Sequence, residues 1–138
     1  CFNSGSSSEK CDFETDLCKA LCEFNLQPGW IRRNGQSGVG PPYYDHSGND
    51  TAYFLTLSSE IRSSSATLRT NVFLPTDEEQ VCQITFHYWI SQMNGTLMVG
   101  LQKHSEDTIT NIWQDSGEQQ NQWKANTITI NSTEKYEV

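Results

Sequence analysis

Basic residues are scarce in this sequence. Against 17 Asp and Glu stand only 9 Lys and Arg, a formal charge of −8 over 138 residues. Binding to phosphates needs a basic face, so the composition argues against nucleic acid and against anionic lipid surfaces as partners. Long apolar runs are also missing. None approaches the roughly 18–20 residues of a membrane span, so a membrane could be reached only through a parent protein. No Gly-x-Ser-x-Gly elbow, P-loop or Gly-x-Gly-x-x-Gly occurs. The three histidines, His46, His87 and His104, do not fall at HExxH spacing. The carboxylates Glu14, Glu60, Asp77, Glu78 and Asp107 show no spacing that selects a pair for glycoside hydrolysis. We therefore expect no enzymatic activity. Heptads, internal repeats and a convincing helical period are absent as well, and no signal peptide opens the chain, as expected of a mature, soluble piece.

What is present points outside the cell. Five cysteines, four of them in the first 22 residues, read as a disulfide framework in an oxidising compartment. Cys1, Cys11, Cys18 and Cys22 permit three pairings, and spacing does not choose among them. A CxxxC zinc site at Cys18 and Cys22 is the weaker reading in that compartment. Three glycosylation sequons begin at Asn49, Asn94 and Asn131.

Residues 1–10 are rich in Ser and Gly and read as a linker or N-terminal tail, and 11–138 as a single domain. Turn signals dominate 27–50, with Trp30-Ile31-Arg32-Arg33 as a short strand between them. Period-2 patterning then predicts strands over 51–57, with Tyr53, Leu55 and Leu57 on one face, and over 66–74, with Ala66, Leu68, Val72 and Leu74 on one face. Pro75 to Glu79 reads as a solvated acidic turn. Further strands are predicted over 108–114 and 123–130, and 135–138 as the opening of another. The most regular stretch, 81–101, reads as a β-hairpin around Asn94-Gly95, with Cys82, Ile84, Phe86, Tyr88 and Ile90 facing one way on its first strand and Leu97, Val99 and Leu101 on its second. Ile84, Phe86 and Val99 are expected core residues. Short antiparallel strands at this spacing predict an all-β, antiparallel β-sandwich of jelly-roll type.

Two constellations invite a functional reading. Glu14 and Asp45 could meet at one end of a sandwich and hold a hard cation through oxygen ligands, although from spacing alone two solvated acids are the better explanation. Trp30, Trp89, Trp113 and Trp123 could offer a sugar-stacking platform, but Trp89 and Trp113 lie in apolar strands, where packing is the better explanation.

Taken in order, the residues resemble a known extracellular module, the MAM domain of meprins, neuropilins and receptor tyrosine phosphatases. Cys11-Asp-Phe-Glu14 followed by Cys18 is similar to that family's opening motif. Trp30-Ile-Arg32 resembles its Trp-x-Arg strand, and Gly40-Pro-Pro-Tyr-Tyr-Asp-His-Ser47 its Gly-Pro loop. Tyr53-Phe54, Cys82 with Phe86 and Tyr88, Gly95-Thr-Leu97 with Val99, Ile112-Trp113 and Trp123 follow in the family's order. The resemblance departs where Cys18 is followed by Lys19-Ala-Leu-Cys22 rather than by Gly and an aromatic.

The resemblance implies a jelly-roll sandwich without catalysis of its own, serving adhesion or protein interaction, homophilic or oligomerising in character. An accessory domain of a membrane or secreted protease, and a calcium-dependent jelly-roll lectin, are the alternatives. It implies a Cys11–Cys18 bond, which leaves Cys1 and Cys22 as each other's natural partners. It also implies a partner for Cys82 near the end of the domain, which this chain lacks, so we expect that partner beyond Val138 and the domain to continue there. Glu14 and Asp45 are implied as ligands of a structural calcium ion, and no other cofactor is required. Expected partners are proteins, including a second copy of the chain.

Overall fold

The computed structural model describes residues 11–14, 29–38, 40–57, 65–76, 82–90, 95–117 and 121–138. Among them lie seven β-strands and no α-helix: β1 Trp30–Asn34, β2 Tyr53–Leu57, β3 Cys82–Tyr88, β4 Thr96–Lys103, β5 Ile109–Ser116, β6 Lys124–Ile130 and β7 Tyr136–Glu137, with a single 3₁₀ turn at Gly35–Ser37. Every strand pairing is antiparallel. The chain divides into two compact units, one ending at Thr70 and the next running from Asn71 to Val138.

In the unit from Asn71 to Val138, β3 pairs with β6, while β4 lies between β5 and β7 in a second sheet. Alternation decides which side chains turn inward. On β3, Cys82 and Tyr88 are buried and Ile84 and Phe86 half-buried, while Gln83, Thr85 and His87 face out. The partner residues on β6 follow suit, with Ile130 opposite Cys82 and Ile128 opposite Ile84. Outside, Thr85 and Thr127 share a hydroxyl–hydroxyl bond of 2.8 Å across the ladder. On β4, Leu97, Val99 and Leu101 turn inward as their spacing predicts. On β5 the register shifts opposite Val99 and Gly100. Ile112 is the additional residue there, and this bulge lets the consecutive Ile112 and Trp113 both pack on the core. Phe73, Cys82, Leu101, Ile128, Ile130 and Tyr136 form that core, with Ile84, Phe86, Val99, Ile112, Trp113 and Val138 against it, so the two sheets close on each other as a sandwich.

The 81–101 stretch is therefore not a hairpin. β3 stops at Tyr88, and Trp89 and Ile90 leave the ladder, Ile90 buried and Trp89 edge-on to Trp123 at 6.0 Å. β3 and β4 stand in different sheets and face each other across the core. Their apolar alternation does set which side chains turn inward, but a period of 2 says which face is buried and not which strand lies alongside. The hairpin is β4–β5, closed by the 104–108 turn, where the Glu106 amide donates to the Lys103 carbonyl at 3.0 Å and the two side chains pair at 3.2 Å. Asn94 lies outside the described residues.

Two other readings are corrected. On β2 the buried residue is Phe54, with Ala52 just before the strand, whereas Tyr53 and Leu55 are half-buried and Leu57 is exposed. Both faces of that strand carry apolar residues, so the pattern was ambiguous. The 66–74 stretch forms no strand; it makes isolated bridges at Thr70 and Phe73, and Phe73 turns inward while Val72 and Leu74 are exposed.

Cys11 and Cys82 are each disulfide-bonded. Cys82 thus has its partner within the chain, not beyond Val138 as expected. Cys1, Cys18 and Cys22 lie outside the described residues, but the pairs Cys11–Cys18 and Cys1–Cys22 together would use all four other cysteines, so both cannot form beside a bonded Cys82. The odd count of five showed that one cysteine is left over without showing which.

Three outcomes follow from this packing. Ile130→Ala, at a position 3% exposed, is expected to lower stability by about 2–5 kcal/mol in denaturant titrations, while Met98→Ala on the open face should stay within about 0.5 kcal/mol. Peptide mapping without reduction should find Cys82 in an intrachain bridge; a free thiol there would contradict the structure. The Tyr88 hydroxyl donates to Asp115 Oδ2 at 2.7 Å. Burial first, then that bond and the carboxylate's charge, raise its pKa to about 12. A tyrosine unfolds to a pKa near ~10, so this contribution is complete below that value and fades as the pH climbs toward the folded one. Stability measured across that alkaline window should fall less steeply for Tyr88→Phe than for the native chain.

Candidate functional site

Among the described residues of the unit ending at Thr70, charged groups are buried beside the apolar ones. Its described interior holds Phe54 and Ala52, and beside them the buried Arg33 and Asp45. A buried charge is tolerated only when its hydrogen bonds are met, and both are. Arg33 lies on the inner face of β1, opposite Phe54, whose ring its guanidinium covers at 4.9 Å. Its two terminal nitrogens donate to the carbonyls of Gly40 at 3.2 Å, Pro41 at 3.0 Å and Pro42 at 3.4 Å, and one of them also reaches the Ser37 hydroxyl. A planar fork can serve several carbonyls at once, and here it holds the Gly40-Pro41-Pro42 loop by its backbone. Burial lowers the pKa of the guanidinium from its usual value.

Asp45 fastens the other end of the loop. Its Oδ1 accepts from the Ser47 amide at 2.9 Å, the Ser47 hydroxyl at 2.7 Å and the Asn49 amide at 2.8 Å, and its own amide donates to the Asn49 carbonyl at 2.9 Å. Burial pushes the carboxyl pKa up, but the bonds from Asn49 and Ser47 and the nearby His46, 3.7 Å from Oδ2, outweigh it and leave the value below normal. Between these two fastenings Tyr43 and Tyr44 are exposed, by 57% and 41%. Gly35 packs beneath them so closely that a Cβ there would run into the Tyr43 carbonyl. The loop is thus held from below while two aromatic side chains face solvent.

Arg32, on the other face of β1, clasps the opening motif. It donates to the carbonyls of Phe13 at 2.5 Å and Glu14 at 2.6 Å and lies 3.4 Å from the centroid of the Tyr53 ring. Phe13 adopts a positive φ of 61°, a costly conformation for an aromatic residue, and it turns two successive carbonyls toward one guanidinium. The Glu14 carboxylate accepts from the Tyr53 amide at 2.9 Å and so ties the same motif to β2.

These bonds account for both acids expected to bind calcium. Glu14 and Asp45 each serve their own loop. Among the described residues no group of three or more His, Cys, Asp or Glu gathers at one point. Calcium takes about six to eight oxygens, and among the described residues Glu14 and Asp45 do not assemble such a set.

The remaining candidates divide clearly. Asn49 and Asn131 lie on the surface, each near a loop fastening. Trp113 packs nearly perpendicular to Phe86 at 5.1 Å and to Tyr88 at 5.2 Å, and Trp89 likewise to Trp123 at 6.0 Å, so these rings take part in aromatic packing. His46, His87 and His104 are exposed in separate places. Tyr43 and Tyr44 were not singled out from sequence; the available signal was an aromatic pair set in a stretch otherwise made of turn residues.

Two outcomes test this loop. Arg33→Ala should cost about 1–3 kcal/mol through the uncapped carbonyls, and Arg33→Lys should recover only part of it because an ammonium lacks the fork. Asp45 has a folded pKa below its unfolded one, so its contribution is full above the ordinary carboxylate range and is lost as the pH falls through the folded value. Asp45→Asn should therefore flatten the acid limb of a stability–pH profile.

Among the described residues no helix is long and apolar enough to cross a membrane. No solved structure matches the chain. Its residues 11–138 match the family model of the MAM domain, meprin/A5/mu, and the chain belongs to that family.

Proposed function

We propose that this chain is an extracellular interaction module whose contact surface is the 40–50 loop, with Tyr43 and Tyr44 as its anchors. MAM domains are generally extracellular adhesion or interaction modules and are not catalytic. The observation that carries the finer reading is the pairing of two exposed aromatics with a backbone already fastened by Arg33 and Asp45. Tyrosines supply large contact area with few rotatable bonds, and a loop held in place before binding loses little entropy when it docks.

The partner is a protein, and a second copy of the chain is the first to test. Two copies each at −8 repel, so self-association should strengthen as salt screens that repulsion, the opposite of a contact held by ion pairs. In sedimentation velocity the module should self-associate, equally with and without EDTA, and Tyr43→Ala with Tyr44→Ala should weaken the association at least tenfold while leaving the melting temperature in place. A monomer at all salt concentrations would point to the accessory role beside a catalytic domain. Dependence on calcium together with binding on a glycan array would point to the lectin reading.

A further inference from the structure

We propose that Asn49 and Asn131 carry N-linked glycans, a reading that rests on the extracellular placement above. Both begin an Asn-x-Thr triplet whose middle residue, Asp50 or Ser132, is not proline, and both asparagines and both threonines, Thr51 and Thr133, are exposed.

The geometry of each amide separates its two ends. Asn49 Oδ1 accepts from the Thr51 amide at 3.0 Å and from the Thr51 hydroxyl at 2.8 Å. Asn131 Oδ1 faces the Thr76 hydroxyl at 3.0 Å. In both residues the oxygen is committed, while the nitrogen makes no hydrogen bond among the described residues.

Attachment forms one bond and breaks one. Nδ2 bonds C1 of the first sugar, the bond from C1 to the lipid pyrophosphate of the donor oligosaccharide breaks, and Nδ2 gives up one of its two protons as the pyrophosphate leaves. No electrons are transferred. Oδ1 remains an acceptor throughout, so every bond that Asn49 and Asn131 make in the folded chain survives. The mounts are firm as well. Asn49 is tied to Asp45 through both its amide and its carbonyl. Asn131 precedes Ser132, which is buried and bonded to Thr76 through its amide at 2.8 Å and its carbonyl at 2.8 Å.

The test uses the full chain, secreted from a host that N-glycosylates, with glycans released enzymatically in heavy-oxygen water and the peptides read by mass spectrometry. Heavy-oxygen aspartate at both 49 and 131 is expected. Asn49→Asp and Asn131→Asp, which keep the acceptor oxygen, should each lose one glycan's mass and still be secreted with an unchanged melting temperature. An unlabelled peptide at either position, whether or not Asn94 is labelled, overturns the assignment for that position. Because the recombinant route supplies the transferase in any case, a native protein found inside the cell would count against the compartment and not against the sites.

Discussion

The unit that runs to Val138 depends on one buried phenol. Tyr136 is 1% exposed, the largest side chain to be so fully enclosed among the described residues. A hydroxyl in that position needs a partner, and it donates to Cys82 Sγ at 3.0 Å, from the sheet of β4 and β7 to the sheet of β3 and β6. Its backbone exchanges two bonds with Phe73, at 2.7 and 3.1 Å, while its ring tilts against Phe73 at 5.5 Å. One residue thus joins both sheets and the 71–76 segment, and Cys82, to which it donates, is itself bridged. Burial raises the phenol's pKa, so it stays protonated and able to donate.

The unit ending at Thr70 works by different means. With few large apolar residues in its described interior, it uses charged groups as fastenings: Arg33 on three carbonyls, Asp45 on Ser47 and Asn49, and Arg32 on the opening motif. Acids and bases that look like a site are spent on backbone. Above those fastenings Tyr43 and Tyr44 are exposed. A loop already fastened in this way would lose little entropy on docking.

This division explains how far the residues could be read in advance. The strands at 30–34, 53–57, 82–88, 96–103, 109–116, 124–130 and 136–137 lie where alternation or β-rich composition placed them, give or take a few residues. Alternation also oriented β3 and β4 correctly. It failed on β2, where Ala52, Tyr53, Phe54 and Leu55 give neither face an advantage, and at 66–74, where extended backbone packs through Phe73 without a ladder. Asn94-Gly95 looked like a hairpin turn because local turn chemistry is indifferent to which sheet the next strand joins. A carboxylate reads the same in sequence whether it meets an ion or an amide, so only the structure shows that Glu14 and Asp45 accept from backbone amides.

Composition, cysteine usage and the ordered motifs from Cys11 to Trp123 determined by themselves that this is an all-β module of the MAM family, since those features depend on residue identity and local period alone. Tertiary structure decided which strands are neighbours, that Cys82 is bridged within the chain, and that Arg32, Arg33, Glu14 and Asp45 hold loops. Each of those outcomes depends on groups far apart in the chain meeting at hydrogen-bond distance, and Tyr136 reaching Cys82 across 54 positions is the plainest case. Sequence spacing carries no information about such meetings; only the packing of one sheet on another supplies it.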